Sequence, residues 1–88
     1  MEGADERGKK VGVVFKYFAK VGVAAITLTD APLQVGDQIR IVGATTDITQ
    51  TIESMEIDRN KVERAEPGQS VGIMVKDRVR ENDMVYKI

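Results

Sequence analysis

Residues 31–44, APLQVGDQIRIVGA, carry the clearest signals of fold class in this chain. Pro32 breaks the preceding strand because its ring fixes φ and it donates no backbone hydrogen bond. Gly36 adopts a positive φ at little cost, so it is suited to turn the chain before the next strand. In that strand Ile39 and Ile41 alternate with polar residues, the period of two expected of a half-buried strand. The stretch therefore predicts a break, a bend and a β-strand.

Similar signals recur along the whole chain. Segments rich in Val, Ile, Phe and Thr, bounded by polar or small residues, predict strands; they are KVGVVFKYF, VGVAAITLT, VGDQIRIVG, DITQTIESMEI, VGIMV and MVYKI. In the fourth segment the apolar residues fall at even positions up to Ile52 and at odd positions from Met55 onward. One extra residue in the strand would explain this change, so we predict a β-bulge there. Residues 58–70 are predicted to be a connection with a type II turn at Pro67 and Gly68. No segment has a convincing helical period.

These strands predict one small all-β domain. Eighty-eight residues are enough for a single limited core. Residues 1–8 are polar and without periodicity, so we expect a disordered tail there and a β-barrel domain over residues 9–88. For a chain this short we expect a closed barrel, because closure removes exposed strand edges.

The composition excludes several classes of function. With no cysteine and no histidine, the chain cannot form disulfides, thiolate or imidazole metal sites, or Cys- or His-centred nucleophiles. The carboxylates are spread along a strand and a loop, so we predict no catalytic site, no metal and no cofactor. Thirteen basic residues against fourteen acidic ones argue against general electrostatic capture of nucleic acid, although local basic patches remain open.

The N-terminal residues indicate neither export nor nucleotide binding. Acidic residues stand where a signal peptide needs basic ones, and the apolar runs are too short to cross a bilayer, so we expect a cytoplasmic protein without membrane contact. Residues 3–10, GADERGKK, have the spacing of a phosphate-binding loop. However, Lys10 occupies the position of the Ser or Thr that holds Mg²⁺, and no strand can precede the motif. We therefore expect no nucleotide binding.

Two segments resemble the second domain of translational GTPases of the elongation factor Tu group. LQVGDQIRIVG resembles the L-x-x-G-D-x-V-x-I-x-G segment of that domain, and TIESMEIDRNKVERAEPGQSVGIMV resembles its later half, including A-x-P-G-D-x-V-G. The resemblance covers residues 11–88 and implies a six- or seven-stranded Greek-key barrel. It also implies that Glu56 and Arg59 lie where the factor holds the terminal adenosine of tRNA. Ile26 and Gln69 depart from the pattern, which leaves open whether that pocket persists.

Further residues are candidates for contact with RNA. Lys76, Arg78 and Arg80 share one side of the chain if their loop is extended, where they could bind a phosphate backbone, or they form a solvated loop balanced by its own acids. Tyr17 and Phe18 could supply a stacking platform beside Lys16 and Lys20, since one residue of each adjacent pair in a strand points outward. The predicted contact set is Lys16, Tyr17, Lys20, Glu56, Arg59, Lys61, Lys76, Arg78 and Arg80.

Two functions remain open. The first is a stand-alone binding module that contacts tRNA or ribosomal RNA, mainly through Arg59, Lys61 and the Lys76–Arg80 loop. The second is a protein-interaction or accessory domain that docks on a larger protein, which supplies the chemistry. Because fold alone does not determine function, the surface has to distinguish them.

Overall fold

The computed structural model describes residues 8–88, and they form strands and turns only. The all-β prediction is confirmed. Ten strands follow in chain order: β1 Lys9–Phe18, β2 Val23–Leu28, β3 Leu33–Gln34, β4 Gln38–Val42, β5 Asp47–Thr51, β6 Met55–Ile57, β7 Asn60–Val62, β8 Arg64–Ala65, β9 Ser70–Met74 and β10 Met84–Lys87.

Eight of these strands form one curled antiparallel sheet. Its order is β5-β4-β10-β1-β2-β9-β6-β7, and β3 pairs with β8 in a separate ribbon. The long strand β1 lies in the middle and pairs with β10 and β2, with a register irregularity in each pairing. Such irregularities increase local twist and bend the strand, which helps the sheet to curl.

The predicted closed barrel is wrong. Within residues 8–88 no ladder joins β5 to the other end of the sheet, so the sheet is a half-barrel. Its ends are nevertheless close, because only Ile52–Ser54 connect β5 to β6. The side chain of Gln50 spans the remaining gap: its Nε2 donates to the Met74 carbonyl at 2.9 Å, and its Oε1 accepts from the Lys76 amide at 2.9 Å. A side-chain amide thus stands where a closed barrel has a strand ladder.

The predicted strand number and the predicted fourth strand also need correction. The main sheet has eight strands, not six or seven. The segment 47–57 forms two strands, β5 and β6, and not one strand with a bulge. The positions of its inward residues change from even to odd because the chain leaves β5, which pairs with β4, and enters β6, which pairs with β9.

The predicted connection over residues 58–70 contains β7 and β8. Ile57 pairs with Asn60, and the two residues between them, Asp58 and Arg59, have φ of 51° and 67°. Positive φ at both central residues is the signature of a type I′ hairpin turn. This hairpin was missed because the sequence DR lacks the Asn-Gly or Asp-Gly signal of such turns.

Two predicted turns are confirmed. Gly36 has a φ of 99°, and the Asp37 amide donates to the Gln34 carbonyl at 3.1 Å. Gly68 has a φ of 94°, with a 3.1 Å hydrogen bond from the Gln69 amide to the Glu66 carbonyl, as in a type II turn.

The core lies on the concave side of the curled sheet. Alternate residues of β2 and β4 point into it, as the alternation of side chains in a strand requires. Tyr17, Ile48, Ile57 and Val62 pack against its margin. The fully buried members with less than 2% exposure and the largest side chains are Ile26, Leu28, Leu33, Ile39, Ile41, Ile52, Met55, Ile73, Val11 and Val14.

The predicted tail and the phosphate-loop motif fall mostly outside the described residues. Of the tail only Gly8 is described, and β1 begins at Lys9. Nothing in the part of the chain from residue 8 onward forms a helix of the length and apolar character needed to cross a membrane.

Candidate functional site

Strand register places three of the predicted contact residues in one row on the convex side of the sheet. Lys16 on β1 pairs with Ala25 on β2, which pairs with Gly72 on β9. Gly72 pairs in turn with Glu56 on β6, and Glu56 pairs with Lys61 on β7. Since directly paired residues project to the same side of a sheet, this row has charges at both ends and two small residues in its middle.

The next row on the convex side is apolar. Phe18 pairs with Val23, and Val23 pairs with Met74. Phe18 is 44% exposed and Met74 is 59% exposed. The Lys16 ammonium lies 5.3 Å from the centroid of the Phe18 ring, within range of a cation–π contact. We call Phe18, Val23, Ala25, Gly72 and Met74 together the β2 patch.

Of the adjacent residues Tyr17 and Phe18, Phe18 is the one that faces outward. Tyr17 pairs with the buried Ala24, so its ring points inward, where it is half-buried against the core. The register of β1 shifts between Val14 and Lys16, so the residues after this point face the opposite side from the one that simple alternation predicts. Local sequence did not indicate this shift. Lys20 lies exposed in the turn that joins β1 to β2.

Glu56 and Arg59, which the GTPase resemblance placed together at the end of tRNA, occupy different positions on the β6–β7 hairpin. Glu56 faces Lys61 across the β6–β7 hairpin, whereas Arg59 lies in the two-residue turn at its tip. All three side chains are exposed. The structure therefore places Arg59 at a position set by turn geometry, beyond the end of the row that contains the other two.

The basic residues at 76–80 line the open seam between β5 and the end of β9. Lys76 borders a shallow depression of about 420 Å³ together with Gln50 and Met74. Arg78 and Arg80 border a second depression, of about 300 Å³, whose other lining residues are Thr45, Thr46, Asp47, Ile48 and Asp77. All three cations are exposed, but acidic side chains lie among them. The seam is thus a surface of mixed charge.

Buried polar groups in this region serve the fold. Asp83 is 4% exposed, and its Oδ2 accepts a hydrogen bond from the Arg80 amide at 2.8 Å. Its other oxygen lies so close to Gly43 that a Cβ there would come within 1.9 Å of it. By accepting this hydrogen bond, the carboxylate orders the turn at residues 80–83.

Possible metal ligands lie apart from one another in the described part of the chain. Over residues 8–88 no three carboxylate, imidazole or thiol side chains come together as ligands would. The depressions are open and shallow, whereas a catalytic group works best in a cavity that excludes water.

Sequence reasoning overlooked Val23, Ala25, Gly72 and Met74. One signal was available, because VAAITL in β2 contains no charged residue on either face. An antiparallel strand with one solvated face normally alternates apolar and polar residues, as QIRIV in β4 does. That contrast marks β2 as unusual, although only the register shows which residues of β1 and β9 lie beside it.

Comparison with known proteins gives a consistent result. The chain is similar to proteases. It is 38% identical over 86 residues to a collagenase of Porphyromonas gingivalis strain W83, covering 97% of this chain and 21% of the collagenase. It is 40% identical over 78 residues to a second Porphyromonas gingivalis collagenase, covering 88% of this chain and 22% of that protein. An uncharacterized protease of Methanocaldococcus jannaschii is 38% identical over 89 residues, covering 98% of this chain and 22% of that protease.

The chain is also similar to solved structures of a domain from another protein of peptidase name. The C-terminal domain of a Geobacillus thermoleovorans protein assigned to the U32 peptidases superposes with a TM-score of 0.84 at 26% identity, covering 90% of this chain and 99% of that domain. A second crystal structure of that domain has a TM-score of 0.83 at 24% identity, covering 100% of this chain and 98% of that domain. No family model matches the sequence. The chain spans about a fifth of the length of the curated relatives it matches.

These comparisons overturn the resemblance to translational GTPases and the RNA-binding function that it implied. The quoted motifs match because they encode turns. Gly36 and Gly68 have positive φ, and Asp37 Oδ2 accepts a hydrogen bond from the Gln34 amide at 3.0 Å. Such turn chemistry is common to many small β-folds, so its recurrence carried no information about a ligand. Ile26, where the GTPase pattern has glycine, is fully buried core here.

Proposed function

We propose that this chain is a non-catalytic accessory domain of a protease related to the U32 peptidases. The observation that carries the proposal is the coverage of the matches, since nearly all of this chain corresponds to about a fifth of each protease. A C-terminal domain of the same size and fold crystallised by itself also supports it. Peptide hydrolysis then belongs to the remaining four-fifths of such proteins.

The residues of this chain favour an accessory role over a catalytic one. Without His or Cys, hydrolysis would need carboxylates, Lys or Tyr gathered in a pocket. Instead, the four glutamates of this region are exposed and lie apart: Glu56 on β6, Glu53 before it, Glu63 after β7 and Glu66 after β8. In this proposal the partner is a peptidase portion, linked or separate, and the cytoplasmic location expected from the sequence is retained.

A domain replacement tests the proposal. The segment of the W83 collagenase that matches this chain is exchanged for residues 1–88, and in a control for an unrelated all-β domain of similar size. We expect the chimaera to hydrolyse collagen with kcat/KM within about tenfold of the parent, the control to lose activity, and the isolated chain to be inactive. Hydrolysis by the isolated chain, or a chimaera no better than the control, would refute the accessory role.

A further inference from the structure

The outer side of β2 carries no charged residue. Val23, Ala25 and Thr27 point to the convex side, because their neighbours Ala24, Ile26 and Leu28 are buried. All three outward residues are only partly exposed, and none is charged. This composition is typical of a strand that is covered on both faces.

Gly72 extends this character onto β9, and the structure of the isolated domain does not require a glycine there. Its φ is not positive, and a Cβ at this position would meet only the Val23 Cγ1 atom at 3.3 Å and the Glu56 carbonyl oxygen at 3.8 Å. By contrast, a Cβ at Gly12 would lie 2.3 Å from the Thr27 carbonyl oxygen. Glycine within a strand weakens it and often marks a site where another backbone approaches closely.

Exposed apolar side chains and charged side chains surround the outer face of β2. Phe18 and Met74 stand exposed on either side of Val23, and Val21 in the adjacent turn is 63% exposed. Cations and an anion border the apolar centre: Lys16 on β1, Glu56 on β6 and Lys61 on β7. A centre of aromatic and Met side chains with a polar rim is the arrangement that protein interfaces have.

We infer that the β2 patch is the surface by which this domain docks on the peptidase portion of the protease. The inference rests on the proposed function. It adds to that function the face of the sheet and the residues through which the domain docks. The occupant is chosen because about four-fifths of each matched protease lies outside the segment that corresponds to this chain. A partner that contacts the patch must present an apolar, closely approaching surface at Ala25 and Gly72, with an anionic group opposite Lys16.

Cysteine footprinting tests the docking face, since the chain has no cysteine of its own. Met74→Cys lies in the patch, whereas the control Thr29→Cys is exposed just past the end of β2 that is opposite to Val23, the partner of Met74. The rate of maleimide labelling of each is measured by peptide mass mapping, in the isolated chain and in the collagenase chimaera. We expect labelling at Met74→Cys to slow at least about tenfold in the chimaera and labelling at Thr29→Cys to stay unchanged.

Further arms separate the possible failures. Equal labelling in both settings, in a chimaera that hydrolyses collagen, would overturn the docking face while the accessory function stands. An inactive chimaera that is no better than the unrelated-domain control would refute the accessory function itself. If the chimaera does not fold, cysteines at the aligned positions of the intact collagenase give the same comparison: protection at the Met74 equivalent alone supports the docking face, and equal labelling overturns it.

Two more variants identify the occupant. Met74→Glu, placed in the chimaera beside a labelled Phe18→Cys, is expected to restore labelling to the rate of the isolated chain, since a buried carboxylate at an apolar interface is costly. Labelling of Met74→Cys that slows with increasing concentration of the isolated chain, together with dimer formation in sedimentation, would assign the face to a second copy and overturn the proposal.

Discussion

Strands β2 and β4 have inner faces of the same kind and outer faces of opposite kinds. On the concave side β2 buries Ile26, and β4 buries Ile39 and Ile41. On the convex side β4 carries Gln38 and Arg40, and the Arg40 guanidinium contacts the Asp47 carboxylate through bonds of 2.8 and 2.7 Å. The outer residues of β2 have no charge at all. The inner faces therefore specify the fold. The outer faces differ in charge, and the uncharged one is the face that we propose for docking.

The largest effect is expected from the inner face of β2. Ile26→Ala removes a fully buried side chain and leaves a cavity, so the free energy of unfolding should fall by about 3 kcal/mol. Val23→Ala, on the outer face of the same strand, should cost at most about 1 kcal/mol in the isolated chain. Urea unfolding of both variants measures the difference. Similar losses for the two would mean that the outer face is packed within this domain already.

Alanine substitution of two strand glycines distinguishes a steric requirement from an open surface. Gly12→Ala should lower the free energy of unfolding by about 2 kcal/mol, because the new Cβ would clash with the Thr27 carbonyl. Gly72→Ala should change it by less than about 1 kcal/mol, since only the Val23 side chain has to move. Thermal unfolding at matched concentration measures both. A Gly72→Ala loss as large as that of Gly12→Ala would remove the argument for close approach at the β2 patch.

A moderate effect is expected at the seam, where a side chain and not a ladder joins β5 to β9. Gln50→Ala removes both hydrogen bonds of the amide and should cost about 1 to 2 kcal/mol. Amide exchange at Lys76 should become faster, because that group loses its acceptor. The control is Thr49→Ala, an exposed neighbour on β5, expected within about 0.5 kcal/mol of the unmodified chain. Unchanged exchange at Lys76 would contradict the bridging role of Gln50.

The smallest effect belongs to the solvated outer face of β4. Arg40→Gln removes the ion pair with Asp47, which is partly exposed, and should cost only about 0.5 kcal/mol at low salt. Lys61→Gln, a loss of charge at the far edge of the sheet, is the matched control. Repeating the unfolding at about 1 M salt should remove most of the Arg40 effect, because the charges are then screened. A larger effect that persists at high salt would mean that the pair is a structural anchor.

Much of the fold was predictable because its signals are local. The alternation in QIRIV, the positive φ of Gly36 and the Pro67–Gly68 turn all depend on residues within a few positions of each other. The β6–β7 hairpin was not predictable in the same way. Asp58 and Arg59 adopt positive φ, which non-glycine residues do at some cost, and the pairing of Met55 with Val62 and Ile73 supports that conformation.

The candidate site was predictable only in part. Sequence analysis singled out Lys16 and Lys61 as basic residues and Glu56 through the GTPase resemblance. The structure places the three in one row, which borders an apolar patch. The choice of Tyr17 over Phe18 failed because one irregularity in β1 reverses which residue faces outward. Turn motifs shared with translational GTPases led to the wrong family, since turn chemistry repeats across unrelated β-proteins.

Local sequence dictated that this chain is all-β, where most of its strands lie, and that it lacks the side chains for thiol or imidazole chemistry. Alternation, glycine and proline act through the geometry of neighbouring residues, so no distant contact is needed to interpret them. Tertiary structure decided that the sheet stays open with Gln50 across its seam, and that Phe18, Val23 and Met74 adjoin. Register and closure depend on contacts between residues far apart in the chain, and these form only when the whole sheet curls around one core.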